Sequence, residues 1–271
     1  MLYFIQKYLF YDTIQYFIYS FMNITTIIKS IFELFYIYPF FPILGLFYIY
    51  SKKYLSNYIS NLDKKHNQKD YLYNKYKSNF KIIFKNYNLI MSLFSFYCCY
   101  NIYNIIFYEL DNYGYALNNH DNINYHSFCY YFFISKYVEY IDTYFLILRN
   151  KNISYLQYVH HLGAPIIFGL LYYIKHPSNH LFVLLNGFIH TIMYLYYYLT
   201  LIGYKINFKY ILTCLQIIQF NCGIAGGNLY YLFDEIKSNN HLDAVHCISF
   251  IYIFIINILF LNFFIKNYIK M

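Results

Sequence analysis

The sequence predicts an all-α fold: a polytopic membrane protein of about seven transmembrane helices, bundled around a polar, cytosol-facing chamber. Three observations predict the bundle. Of 271 residues, 60% are hydrophobic and only 12% charged, where a soluble domain carries roughly 25% charged residues. The apolar residues fall into separate runs of about 20, the length an α-helix needs to cross hydrocarbon. Lysine and arginine are unevenly shared among the connections, as the positive-inside rule requires of a chain that crosses repeatedly. The 41 Tyr and 29 Phe, beside no Trp, point to a compositional bias in which many aromatic residues stand where Leu or Val would serve.

Residues 1–29 read as an N-terminal apolar or interfacial segment. Lys7 and Asp12 interrupt it, and no basic start or small-residue cleavage site marks a secretory signal. Residues 30–268 read as one membrane domain, with spans near 31–50, 80–107, 128–148, 154–174, 181–202, 209–231 and 245–265. The first connection, 51–79, holds Lys52, Lys53, Lys64, Lys65, Lys69, Lys75 and Lys77. The second, 108–127, holds no Lys or Arg and carries Glu109, Asp111 and Asp121. Arg149 and Lys151 follow in the third, Lys175 in the fourth, Lys205 and Lys209 at the fifth. The sixth sets Lys237 against Asp234, Glu235 and Asp243, and the tail ends with Lys266 and Lys270. Basic connections alternate with neutral or acidic ones. That pattern places the first, third and fifth connections and the tail in the cytosol and the N-terminus opposite; Lys29 alone runs against it. The six cysteines form no CxxC pair, so no zinc site or redox dithiol is signalled, and each reads as a packed membrane thiol.

Ionisable side chains inside a membrane are expensive and usually face a bundle interior. The third span carries Lys136, Glu139, Asp142 and Thr143 at i, i+3, i+6 and i+7, one helical face. The fourth carries Gln157, His160 and His161 at i, i+3 and i+4. On the fifth, Asn186, His190, Met193, Tyr194 and Tyr197 make a stripe, and on the sixth Thr213, Gln216 and Gln219. Each stripe taken alone reads equally well as polar glue between helices. Depth favours a common chamber. At about 1.5 Å rise per residue, His160, His190, Glu139 and the two glutamines all fall roughly 9–18 Å from the cytosolic ends of their spans.

These residues, in this order and spacing, resemble the ELO family of very-long-chain fatty acid elongases. The matching motifs are Lys136-x-x-Glu139-x-x-Asp142-Thr143, Asn186-x-x-x-His190-x-x-Met193-Tyr194-x-Tyr196-Tyr197 and Thr213-x-x-Gln216-x-x-Gln219. The family's histidine box is usually H-x-x-H-H; here Gln157 holds its first position and His160 and His161 the others. Glutamine exchanges hydrogen bonds but takes up no proton at neutral pH, so proton transfer falls to the histidines.

The resemblance implies a 3-ketoacyl-CoA synthase, an acyltransferase that joins an acyl-CoA to malonyl-CoA with loss of carbon dioxide and CoA. It implies His160, His161 and His190 as catalytic. His160 would carry the acyl group, His190 would act at the malonyl group, and Gln157 and His161 would orient His160. Glu139 and Asp142 would set imidazole tautomers, while Asn186, Gln216 and Gln219 would donate to oxyanions. Lys205 and Lys209 suit CoA phosphates, or serve topology alone. No cofactor or metal is implied. The implied setting is the endoplasmic reticulum membrane, with the N-terminus lumenal. The implied partners are membrane lipid and the ketoacyl-CoA reductase, dehydratase and enoyl reductase of the cycle. Nucleic acid is not among them.

Rival readings are weaker. A membrane di-iron desaturase or hydroxylase also uses histidine boxes, and His176 with His180 forms an HxxxH pair. That pair lies about 16 residues, roughly 24 Å, from His160 along the helix. A cysteine-based condensing enzyme needs an activated thiolate, and Cys98 and Cys99 sit in mid-span. A receptor or transporter has only the span number in its favour, and an inactive elongase homologue rests on Gln157.

Overall fold

The computed structural model describes residues 24–108, 123–176, 178–233 and 240–269. Residues 1–23, the acidic connection with Glu109, Asp111 and Asp121, and the segment with Asp234, Glu235 and Lys237 lie outside them. The described residues form helices and no strand. In chain order these are α1 (Ile24–Ile37), α2 (Phe40–Lys65), α3 (Tyr71–Lys75), α4 (Lys77–Tyr108) and α5 (Ile123–Val138). They continue with α6 (Tyr140–Leu148), α7 (Tyr155–Tyr173), α8 (Asn179–Ile202), α9 (Lys209–Phe233) and α10 (Asn240–Phe264), whose end widens into a π turn, Ile265–Ile269.

Two expected spans are broken. The first, 31–50, bends by 77° between α1 and α2. Its break falls at Tyr38 and Pro39, because a residue before proline is pushed out of helical geometry. The third, 128–148, is interrupted at Glu139, between α5 and α6. Much of the expected first connection is helical instead: α2 runs on through it to Lys65, and Ile59 is buried.

Three helical stretches are each long and apolar enough to cross a membrane: Lys77–Ile106, Asn179–Ile202 and Asn240–Ile269. The bent pair Thr25–Ile37 and Phe40–Lys65 can make a fourth. Seven spans are therefore not reached on length and composition among the described residues. The reason is chemical. The third expected span is cut at Glu139 into α5 and α6, each too short to cross, and α7 and α9 have apolar runs diluted by Gln157, His160, His161, Gln216, Gln219 and Asn221. Large apolar side chains such as Phe32, Leu46, Ile90, Leu93, Ile218 and Phe254 stand on the outside. That is the expected surface of a protein solvated by lipid, where each helix satisfies its own backbone.

Helix α4 packs along α8, α8 against α9, α9 against α10, α10 against α7, α7 against α5 and α5 against α4. This closes a ring of six helices. Outside it, α1 packs on α10, and α2 packs on α7 and α6. Phe41, Phe133, Leu170, Leu171 and Val245 form one buried core between the α1–α2 elbow and the ring. At Gly169 this packing leaves no room for a side chain: an added Cβ would lie 2.1 Å from Phe41 Cε1 and 2.9 Å from Phe133 Cε2. Small residues of this kind let helices approach closely in membranes. Gly169→Ala is expected to lower stability by about 1–3 kcal/mol through overpacking, read as an earlier thermal unfolding transition in detergent.

At the basic end, Asp63 ties two connections together. It accepts from the backbone N–H groups of Asp70 and Tyr71 and from Asn150 Nδ2, at 3.2, 3.0 and 3.2 Å. The α2–α3 turn is thereby fixed to the α6–α7 connection.

Candidate active site

Helix α7 carries the centre of the site, and its sequence explains where it starts. Ser154 caps it, its hydroxyl accepting from the Gln157 N–H at 3.1 Å. Ser-x-x-Gln is the spacing of a capping box, but the Gln157 side chain is used elsewhere. Its Nε2 donates to His161 Nε2 at 2.7 Å. Gln157 therefore orients His161 directly; the expected contact with His160 is not the one made.

One residue earlier in the box, His160 points into the ring. Pro165 lies inside α7 and supplies no N–H to the carbonyl of His161 one turn before it. The carbonyl of His160 is held by Tyr252 of α10, whose hydroxyl donates to it at 3.0 Å. Tyr252 can lie across α7 only because residue 163 is glycine: a Cβ there would sit 2.2 Å from its ring.

Facing this pair are α5 and α8. Lys136 and Glu139 are 1% and 2% exposed, and Lys136 Nζ donates to Glu139 Oε1 at 2.7 Å. The same ammonium donates to Asn186 Oδ1 at 2.7 Å and lies 4.1 Å from the centre of the Phe132 ring. Glu139 Oε1 is also 3.1 Å from His190 Nδ1. The order Asn186, Lys136, Glu139, His190 is thus a continuous buried chain of polar contacts. Paired and hydrogen-bonded in this way, two buried charges offset each other's desolvation, whereas either alone would not be tolerated. The ring of His190 then faces His160, with centroids 6.5 Å apart, and His161 lies 5.4 Å from His160.

Glu139, His160 and His190 each offer one donor atom within 4.8 Å of the others, a trio that could hold a metal ion. The carboxylate oxygen is already engaged by Lys136, so a cation entering there would compete with a fixed ammonium.

The remaining expected residues divide into two groups. Asp142 accepts from Tyr194 OH at 2.6 Å, not from an imidazole as expected. Thr143 Oγ1 is 3.0 Å from Tyr48 OH, which ties α6 to α2. Gln219 lines the same cavity as His160, and Gln216 Nε2 lies 3.8 Å from Met193 Sδ. The Tyr197 ring is next to that of Tyr194, at 6.4 Å. Thr213 spends its hydroxyl on the carbonyl of Lys209 within its own helix, at 3.1 Å. Lys205 and Lys209 are exposed, beyond the end of α8 and at the start of α9.

A cavity of about 40 Å3 opens beside His160, walled by Leu171, Phe182, Asn186, Gln219 and Tyr252 among others. Most of its lining is apolar, and His160, Asn186, Gln219 and Tyr252 supply its polar groups. Sequence reading missed Tyr252 and Tyr48, since nothing distinguishes them among 41 tyrosines. Gly163, two residues after the histidine box, was the available signal for a close crossing.

The GNS1/SUR4 (ELO) family matches residues 37–271. The chain is 35% identical over 161 residues to human very long chain fatty acid elongase 4, covering 56% of this chain and 49% of that protein. It is 32% identical over 200 residues to the Macaca mulatta protein of the same name, covering 67% and 60%. Over 107 residues it is 35% identical to fatty acid elongase sre1 of Dictyostelium discoideum, covering 39% and 40%. The chain spans about half the length of the curated relatives it matches. No solved structure matches it. With the family match running from the elbow to the C-terminus and its polar motifs gathered at one site, the protein is a member of the GNS1/SUR4 (ELO) family.

Proposed function

We propose that the protein catalyses the condensing step of fatty acid elongation, joining an acyl-CoA to malonyl-CoA to give a 3-ketoacyl-CoA, carbon dioxide and CoA. The observation that carries this reading is the pair of facing imidazoles, His160 and His190, the first of which lines a largely apolar cavity. The names of its relatives and its family support it.

In this reading a ring nitrogen of His160 attacks the thioester carbonyl. CoA leaves as the thiolate, and an acyl-imidazole remains, as nucleophilic catalysis by histidine allows. Malonyl-CoA then loses its carboxylate as carbon dioxide. The resulting enolate carbon attacks the acyl carbonyl, forms the new carbon–carbon bond and returns the electron pair to His160. Glu139 orients His190 through Nδ1, leaving the other ring nitrogen to polarise the malonyl thioester. Asn186 accepts from Lys136 through Oδ1, which turns its amide NH2 into a donor for a developing oxyanion, with Gln219 across the cavity as the second donor. The acyl chain extends down the apolar cavity. CoA remains at the basic end near Lys205 and Lys209, placed in the cytosol with the C-terminus by the charge alternation. The enzyme would work in the endoplasmic reticulum membrane beside the reductases and dehydratase that complete the cycle.

The test is an elongation assay on membranes carrying the chain, with malonyl-CoA labelled at C2 and a series of acyl-CoA lengths, Gln157→His beside the parent. The parent is expected to form labelled 3-ketoacyl-CoA. The substitution is expected to change the rate by no more than a few fold, since Gln157 needs only to donate to His161. No product from the parent, with activity gained in Gln157→His, would identify an inactive homologue. Iron in the purified protein would instead favour the oxidase reading.

A further inference from the structure

Condensation uses His160 and His190 as free imidazoles, yet with Glu139 they form a group with a second chemical property. Each of the three offers one donor atom, and the three atoms lie within 4.8 Å of one another. Two imidazole nitrogens and a carboxylate oxygen are a donor set that zinc accepts, with a fourth position left open. Imidazole also suits the other divalent transition metals better than it suits magnesium or calcium. Zinc holds such donors at about 2.0–2.2 Å, which sets two of them roughly 3.3 Å apart on one ion. His190 Nδ1 and Glu139 Oε1 are already 3.1 Å apart.

Direction agrees with distance. His190 Nδ1 has no hydrogen-bond partner among the described residues, so, close as it is to the carboxylate, it is off the line that a hydrogen bond needs. Two ligands of one ion stand in that relation, side by side and aimed at a shared point. His160 Nδ1 is likewise buried without a partner among the described residues. The three side chains come from α7, α8 and the break between α5 and α6. Their separation is therefore set by helix packing. Lys136 opposes an ion there: its ammonium holds Glu139 Oε1 at 2.7 Å and repels a second cation. Asn186 Oδ1, at 2.7 Å, and the Phe132 ring, at 4.1 Å, are partners that the ammonium keeps when the carboxylate turns to an ion.

We propose that Glu139, His160 and His190 bind one divalent transition metal of the zinc class as an inhibitor, that the ion stops condensation by occupying both imidazoles, and that Lys136 limits its affinity. The inhibition rests on the condensation reading above; the binding does not.

The experiment uses the full chain in lipid nanodiscs with Zn2+, Co2+ and Mg2+ as chloride salts. Binding is read from the visible absorption that Co2+ gains in a four-coordinate site and from its loss when Zn2+ is added. Condensation is measured in parallel. The parent is expected to bind one Co2+, to exchange it for Zn2+, and to lose condensation activity until the metal is chelated. Mg2+, which prefers octahedral oxygen sites, is expected to displace nothing and inhibit nothing. His190→Ala is expected to abolish the Co2+ band. Lys136→Met is expected to tighten binding at least about tenfold, because the opposing cation is gone. Lys136→Met with Glu139→Gln is expected to lose the band again. A rise in unfolding temperature on adding Zn2+ should follow the same order among the variants, since a ligand of the folded state stabilises it. No Co2+ band in the parent, a band that survives in both His190→Ala and the double variant, an equal response to Mg2+, or binding no tighter in Lys136→Met would each overturn the proposal. Metal binding as described, in a parent that condenses nothing when metal-free, would keep the site and sink the condensation reading instead.

Discussion

His160→Ala is expected to remove condensation activity, by at least about a thousandfold, the scale seen when a covalent catalytic group is deleted. The expectation comes from position. His160 lines the cavity, its Nδ1 is without a partner among the described residues, and its carbonyl is anchored by Tyr252. His161 is not placed to take over: it is not among the residues lining the cavity, and its Nε2 is held by Gln157. Alanine keeps the helix and removes no buried ion-pair partner, so the protein should accumulate and unfold much as the parent does. Labelled malonyl-CoA incorporation at constant protein level is the measurement. A variant that retains full activity would remove His160 from the chemistry.

Glu139→Gln is expected to be the most destabilising single change at the site. It leaves the ammonium of Lys136, 1% exposed, in the ring without its counter-charge, and breaking a buried pair from one side costs about 3–5 kcal/mol. It also removes the carboxylate that lies against His190, so activity should fall with stability. Removing both charges separates these effects. Lys136→Met with Glu139→Gln should regain most of the stability, since a buried pair replaced by neutral groups is often neutral in cost, yet should remain inactive because His190 is still without its anion. Thermal unfolding in detergent and the condensation assay, run on single and double variants together, give the four values needed. A double variant as unstable as the single would show that Lys136 is not what Glu139 compensates.

Helix content, membrane character and the grouping of polar stripes were all legible from residue order. Charge in an apolar run has one energetically tolerable destination, the interior, and a spacing of i, i+3, i+4 can only describe one helical face. Partner choice was not legible. Gln157 lies within about one helical turn of both His160 and His161, and only the direction of its side chain assigns it to the second. Asp142 was expected among imidazoles and instead takes the hydroxyl of Tyr194. The elbow at Pro39 and the break at Glu139 could have been suspected from the proline and from a buried charge, but whether a helix bends is settled by what it packs against.

By itself the sequence determined that this chain is helical, lives in lipid, and carries Lys136, Glu139, His160, His161 and His190 where no lipid-facing helix could keep them. Local rules suffice for that, because the transfer cost of each side chain and the period of the helix act residue by residue. The tertiary structure decided that Lys136 and Glu139 hold His190 opposite His160 and that Tyr252 crosses at Gly163. Those facts depend on distances between helices far apart in the chain, which are set only when the ring closes and every buried polar group must find its partner at once.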